Sequence, residues 1–232
     1  MKTFYAIGDI HGMFDQLEQL HEQIHKDIAD NKIENATIIH LGDYIDRGPK
    51  SKEVVRLLQS MEKASQYKCI NLLGNHEQLM IDAYNYGRQE MHLWIMNGGD
   101  KTLDSYGTQK YEDRPIEDLV WMQYLPYYHR EDQYKLFFVH AGFYPKDFPN
   151  LSKDVCIWTK NESFFADQFW NQYTNMNDWL IIHGHSVFDL KKPTIHQQRL
   201  NLDTGCCFGG KLTAAKIQCF PNFKREISIF QV

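Results

Sequence analysis

The sequence predicts an α/β fold (α+β in some schemes) organised around a parallel sheet. Three apolar runs, residues 3–9, 36–42 and 67–73, alternate with two amphipathic helical stretches, so the chain opens strand, helix, strand, helix, strand. That order calls for parallel neighbours joined by right-handed crossovers. Each of these runs ends in a polar cluster beside a glycine, and two later runs end the same way.

The first run breaks at Gly8-Asp9-Ile10-His11-Gly12. A helix is expected from about Met13 to Ala29, where Leu17, Leu20, Ile24 and Ile28 recur at helical spacing and make one apolar stripe. His21 and His25 fall beside that stripe and read as a solvated flank rather than a metal pair. The second run leads into His40-Leu41-Gly42-Asp43-Tyr44-Ile45-Asp46-Arg47-Gly48-Pro49, a buried strand passing into a tight charged loop. Ser51 reads as the N-cap of a helix carrying Val54, Val55, Leu58 and Met61. The third run ends in Gly74-Asn75-His76-Glu77.

Residues 78–126 read as a mainly helical insert, rich in Met, Trp and Tyr and interrupted at Asn97-Gly98-Gly99. Its aromatics read as core, and Asp100 and Asp104 as solvated. A fourth strand, Tyr134 to Val139, ends in His140-Ala141-Gly142, and a fifth, Asp178 to Ile182, ends in His183-Gly184-His185. His40 reads as a packed core histidine and His183 as a neighbour supporting the ligands. The tail, His196 to Leu202, Lys211 to Phe220 and Glu226 to Val232, has hairpin grammar, with His196 structural on its strand. Repeats, low-complexity tracts and linkers are not evident, so residues 1–232 are expected to form one domain.

Composition narrows the class. At 43% hydrophobic and 14% aromatic, the 232-residue chain has ample material for a packed core, which argues against disorder. A formal charge of −5 leaves no broad basic surface, so no nucleic-acid partner is expected. The absence of a signal-like start and of any run near ~18 apolar residues predicts neither secretion nor a membrane span. Cys69, Cys156, Cys206, Cys207 and Cys219 form no C-x-x-C pair, and they read as reduced thiols of a cytoplasmic protein. A zinc site from Cys206 and Cys207 is disfavoured, because sequence neighbours seldom point at one ion. Oligomeric state, a regulatory tail and a docking module leave no signal.

The chemistry sits at the strand ends. Loops at the carboxyl ends of strands in α/β sheets converge on one crevice, and adjacent glycines allow sharp turns and close approach. The donors gathered there are Asp9, His11, Asp43, Asn75, His140 and His185, an oxygen and imidazole set without sulfur. Such a set suits manganese first, with iron or zinc as alternatives. Two divalent ions about 3.5–4 Å apart would need a bridging carboxylate, and would activate a shared water at neutral pH.

These motifs resemble the metallophosphoesterase (calcineurin-like) signatures, and more narrowly the phosphoprotein phosphatase branch with its small bacterial and phage serine/threonine phosphatases. The resemblance runs from residue 5 to about residue 215. It includes Trp94-Ile95-Met96-Asn97-Gly98-Gly99, Thr102-Leu103, Ser105-Tyr106-Gly107, Asn201-Leu202-Asp203-Thr204-Gly205 and Gly209-Gly210-Lys211-Leu212-Thr213. It implies two stacked mixed β-sheets flanked by helices, a four-layer sandwich.

The resemblance also implies roles. Asp9 and His11 would hold one metal, Asn75, His140 and His185 the other, and Asp43 would bridge. His76 would be the general acid, oriented by Asp46, and Arg47 would clamp the phosphoryl oxygens. Lys160 stands where relatives usually carry a second arginine; it keeps the charge but loses the planar fork. The implied activity is phosphomonoester hydrolysis, with a serine/threonine phosphoprotein first as substrate. Phosphorylated small molecules come next, and dinucleoside polyphosphate hydrolysis is the alternative. Glu77 and the Asp46-Arg47 pair favour the phosphatase branch over the symmetrically cleaving tetraphosphatases.

Overall fold

The computed structural model describes residues 2–108, 115–160, 162–170, 172–173, 176–196 and 198–232. Strand β1 (Lys2–Ile7) is followed by helix α1 (Phe14–Asp30), β2 (Ala36–His40), α2 (Ser51–Ala64) and β3 (Lys68–Asn71), as the periodicity predicts. These strands pair in parallel, and β9 (Thr213–Cys219) and β10 (Arg225–Gln231) extend the same sheet antiparallel, giving the order β10-β9-β1-β2-β3.

The later strands build a second sheet. Its order is β4 (Tyr128–Glu131), β5 (Leu136–Val139), β6 (Leu180–His183), β8 (Arg199–Asn201) and β7 (Thr194–Ile195). Strands β5, β6 and β8 are parallel, and β4 and β7 pair antiparallel at the two edges. The edge strands β4 and β7 have no counterpart in the sequence reading. Tyr128-His129-Arg130-Glu131 is half-exposed and polar, so it lacks the alternation that marks a strand.

Alternation along the strands explains the layering. Phe4, Ala6, Ile39 and Leu72 of the first sheet meet Leu136, Phe138, Ile182 and Leu200 of the second in one apolar layer. Tyr5, Ile7 and Ile38 face the other way, onto Leu17, Leu20 and Ile24 of α1 and Val54, Val55 and Leu58 of α2. On the far side Phe137, Val139 and Ile181 pack against Cys156, Phe164 and Trp170, contributed by α7 (Lys153–Trp158), α8 (Glu162–Phe165) and α9 (Asp167–Trp170). The result is helices, sheet, sheet, helices, with side chains buried on both faces of each central strand. The insert is helical through α3 (Asn75–Tyr86), α4 (Arg88–Trp94), a wide turn at Ile95–Gly99, α5 (Asp100–Tyr106) and α6 (Ile116–Gln123). Among the described residues no helix is long and apolar enough to cross a membrane.

Several local expectations need correction. His21 is not solvated: it is buried, and its Nε2 lies 3.0 Å from Nε2 of the buried His40. Ser51 does not cap α2 but is its first buried residue, and its Oγ accepts the Asp46 N–H at 3.1 Å. His196 lies past β7 and pairs with Asp167, Nδ1 to carboxylate 3.3 Å. His183 packs on Phe164 with ring centroids 5.0 Å apart. Asp100 and Asp104 are exposed as expected, with Lys101 between them. All five cysteines are free thiols.

Burial keeps the His21–His40 pair neutral, holding His40 down at about 4 and His21 well below its ordinary value. Unfolded histidines titrate near ~6.5. Above that pH neither state binds these protons; below it the unfolded chain takes them up first, down to about 4 for His40, so stability is lost as pH falls. The unfolding free energy should drop by about 1.4 kcal/mol per pH unit for each imidazole in that window. Denaturant titrations at pH 7 and pH 5 check this, and the drop should be shallower in a His21→Gln variant.

Candidate metal centre

The loops that follow β1, β2, β3, β5 and β6 deliver their polar residues to one place. Close packing sets what they can be. A Cβ on Gly184 would lie 2.0 Å from Asp9 Oδ1, and one on Gly74 would lie 2.3 Å from both Asp43 N and Asp43 Oδ1. Glycine is therefore required where these loops touch. The functional residues themselves take the left-handed conformation, with φ of 47° at His11, 55° at Asp43, 72° at Asp46, 67° at Arg47 and 67° at His185.

Asp43 is buried at the centre. Its Oδ2 is 3.5 Å from His11 Nε2 and its Oδ1 is 3.3 Å from His140 Nε2. It thereby belongs to two groups whose donor atoms lie within 4.8 Å of one another, His11–Asp43–His76 and Asp43–His140–His185. The Nδ1 atoms of His11 and His140 sit 2.8 and 2.9 Å from the carbonyls of Ile45 and Leu41. Each ring thus donates from Nδ1 and turns its Nε2 inward, towards Asp43. Asn75 Oδ1 is 2.9 Å from His140 Nε2, and the Asp9 carboxylate accepts the His185 N–H at 3.1 and 3.0 Å. All six expected donors meet here. The first compact group, however, takes His76 where the sequence reading set Asp9, which stands against the His185 backbone instead.

The donor set fits divalent ions. His185 Nε2 is buried without a hydrogen-bond partner, and burial together with His140 holds its imidazole neutral at about 3, leaving a free lone pair. Carboxylates crowd the same volume. Burial and the charges of Asp203 and Asp43 push Asp9 well above the usual range, and burial with Asp43 lifts Asp203 to about 6. Burial would lower His140, but Asp43, Asp9 and Glu77 carry it up to about 9. Such an excess of buried negative charge is what cations relieve. No thiolate takes part, consistent with a hard or borderline ion.

Beside Asp43, His76 Nδ1 lies 2.7 Å from Asp46 Oδ2. Asp46 is fully buried and also accepts Trp94 Nε1–H at 3.0 Å and the Thr102 hydroxyl at 2.7 Å. The insert is thus more than core: it grips the carboxylate behind His76. Glu77 accepts the N–H groups of Asp43 at 2.9 Å, Tyr44 at 2.7 Å and Gly74 at 3.0 Å, which locks the β2 loop onto the start of α3. Arg47 NH1 donates to His11 Nε2 at 2.6 Å, and Lys160 is exposed. Both line a cavity of about 490 Å³ with His11, His185 and Asp203. The positioning roles of Trp94, Thr102 and Glu77, and the place of Asp203, were not assigned from the sequence. Asp203 had a usable signal, since Asp203-Thr204-Gly205 repeats the strand-end grammar after β8. A Gly184→Ala substitution should displace the Asp9 carboxylate and weaken divalent-ion binding about 10–100-fold, measured by calorimetric titration with Mn²⁺.

Comparison with known proteins agrees with the geometry. The calcineurin-like phosphoesterase family profile matches residues 2–223. The asymmetrical bis(5'-nucleosyl)-tetraphosphatase PrpE of Halalkalibacterium halodurans is 30% identical, over 95% of this chain and 91% of its own length. Serine/threonine-protein phosphatase 2 of Escherichia coli K12 is 27% identical, over 94% of each chain. Among solved structures, the cold-active protein-tyrosine phosphatase of a Shewanella species superposes with a TM-score of 0.62 over 98% of this chain and 80% of its own, at 17% identity, and shares the fold. The chain belongs to the calcineurin-like phosphoesterase family, the metal-dependent hydrolases of phosphoesters.

Proposed function

We propose that this chain hydrolyses dinucleoside polyphosphates with a pair of divalent ions, manganese first, and that phosphoserine and phosphothreonine proteins are the second reading. The observation that carries phosphoryl hydrolysis is Asp43 standing between two imidazole groups, with the His76–Asp46 pair beside it. The order of substrates reverses the one drawn from the sequence. It rests on the tetraphosphatase that matches nearly the whole chain. The second reading rests on the E. coli phosphatase, on Asp46-Arg47 and on Glu77. The free cysteines suit the reducing, cytoplasmic setting that belongs to the same proposal.

Asp9 and His11 would hold one ion, Asn75, His140 and His185 the other, and Asp43 both. The ions, when bound, polarise the phosphoryl group and lower the pKa of the attacking water. Arg47 turns its planar fork from His11 to two phosphoryl oxygens, and Lys160 adds a point charge from the cavity wall. Water attacks phosphorus in line, the bond to the leaving oxygen breaks, and His76 gives that oxygen a proton from Nε2. Asp46 keeps the ring oriented through the 2.7 Å contact at Nδ1.

His76→Asn should lower kcat by roughly 10²–10⁴ while bound metal, measured by atomic absorption, stays at the wild-type level. Release of the metal would make His76 a ligand instead. A chelator should abolish turnover. A panel of phosphopeptides and diadenosine tetraphosphate under one metal condition decides substrate class: faster tetraphosphate cleavage is expected, and a phosphopeptide preference would select the second reading.

A further inference from the structure

We propose that Phe208, Phe188 and Phe165 form a stacking site for the nucleobase of the nucleotide unit bound at the metal centre. This deepens the polyphosphate reading and rests on it. The cavity of about 490 Å³ is lined by two chemically distinct kinds of side chain. Buried His11 and Asp203, half-buried His185, Arg47 and Lys160 give it a polar, partly cationic lining suited to phosphate. The same cavity is lined by Phe165, Phe188 and Phe208, and the last two rings are each 58% exposed. Two half-bare phenyl rings on the same cavity offer flat apolar area next to cations, the complement of a base joined to a phosphate.

These rings are held in advance. Phe208 lies under the Arg47 guanidinium, 5.2 Å from ring centroid to carbon, in a tight turn between Gly205 and Gly209, which have φ of 65° and 82°. Phe188 meets Phe165 edge to face at 5.3 Å. Behind Phe165, the buried Arg199 donates to the Phe165 carbonyl at 2.8 Å and to Asp167 Oδ1 at 2.6 Å, which anchors the wall to β8. The volume suits one nucleotide unit. A phosphoserine side chain has no planar ring to place there.

The test compares AMP with ribose 5-phosphate, which has the same phosphate and sugar without the base, by calorimetric titration of the metal-loaded protein. AMP should bind at least about tenfold tighter, and that ratio should fall towards one in Phe208→Leu and in Phe188→Leu. A wild-type ratio near one overturns the proposal, as does a ratio left intact in both variants. Phosphotyrosine gaining such an advantage over phosphoserine, with none for AMP, also overturns it by assigning the rings to an aryl phosphate. Absence of tetraphosphate hydrolysis with the AMP advantage intact removes the proposed activity and leaves the base site standing.

Discussion

Four backbone N–H groups converge on the Glu77 carboxylate: Gly74 from its own loop, and Asp43, Tyr44 and Ile45 from the loop after β2, the last at 3.3 Å. The Asp43 turn is fully buried and runs left-handed, so those donors have no route to water and few alternatives within the chain. Each would cost about 1–3 kcal/mol if left unpaired. One side chain therefore fixes the height and direction at which the central aspartate is presented. The imidazoles of His11 and His140 are then set by carbonyls of the same loop, Ile45 and Leu41. Geometry propagates outwards from that clasp.

The double sandwich explains why so many loops can reach one point. Parallel strands β1, β2 and β3 in one sheet and β5, β6 and β8 in the other bring their polar tips to a shared edge of the apolar layer. Strand interiors are therefore free to be Val-, Ile- and Phe-rich, and chemistry is confined to residues just past them. The helical insert adds a second support that reaches across from Trp94 and Thr102 to Asp46.

Strand-end grammar made the donors legible, because a glycine beside Asp, Asn or His recurs after each core strand. Residues acting through other residues were hidden. Trp94 looks like any core aromatic, and only the fold brings its indole N–H to Asp46, 48 positions earlier. His21 was misread since its neighbours Glu22 and Lys26 are polar; its burial depends on His40, which arrives from another element. Ser51 shows the same limit, as capping grammar is local while its real partner is the turn holding Asp46. The second sheet was partly illegible for a related reason: β4 and β7 are short, polar edges defined by their neighbours rather than by their own pattern.

The left-handed backbone at His11, Asp43, Asp46, Arg47 and His185 has a thermodynamic corollary. A residue with a Cβ costs about 1–3 kcal/mol in that region, and glycine avoids most of the penalty. A glycine at these positions would relieve that strain, but at Asp46 it would also strip the acceptor from His76, Trp94 and Thr102. Backbone ease and the display of reactive side chains therefore make opposite demands on these positions.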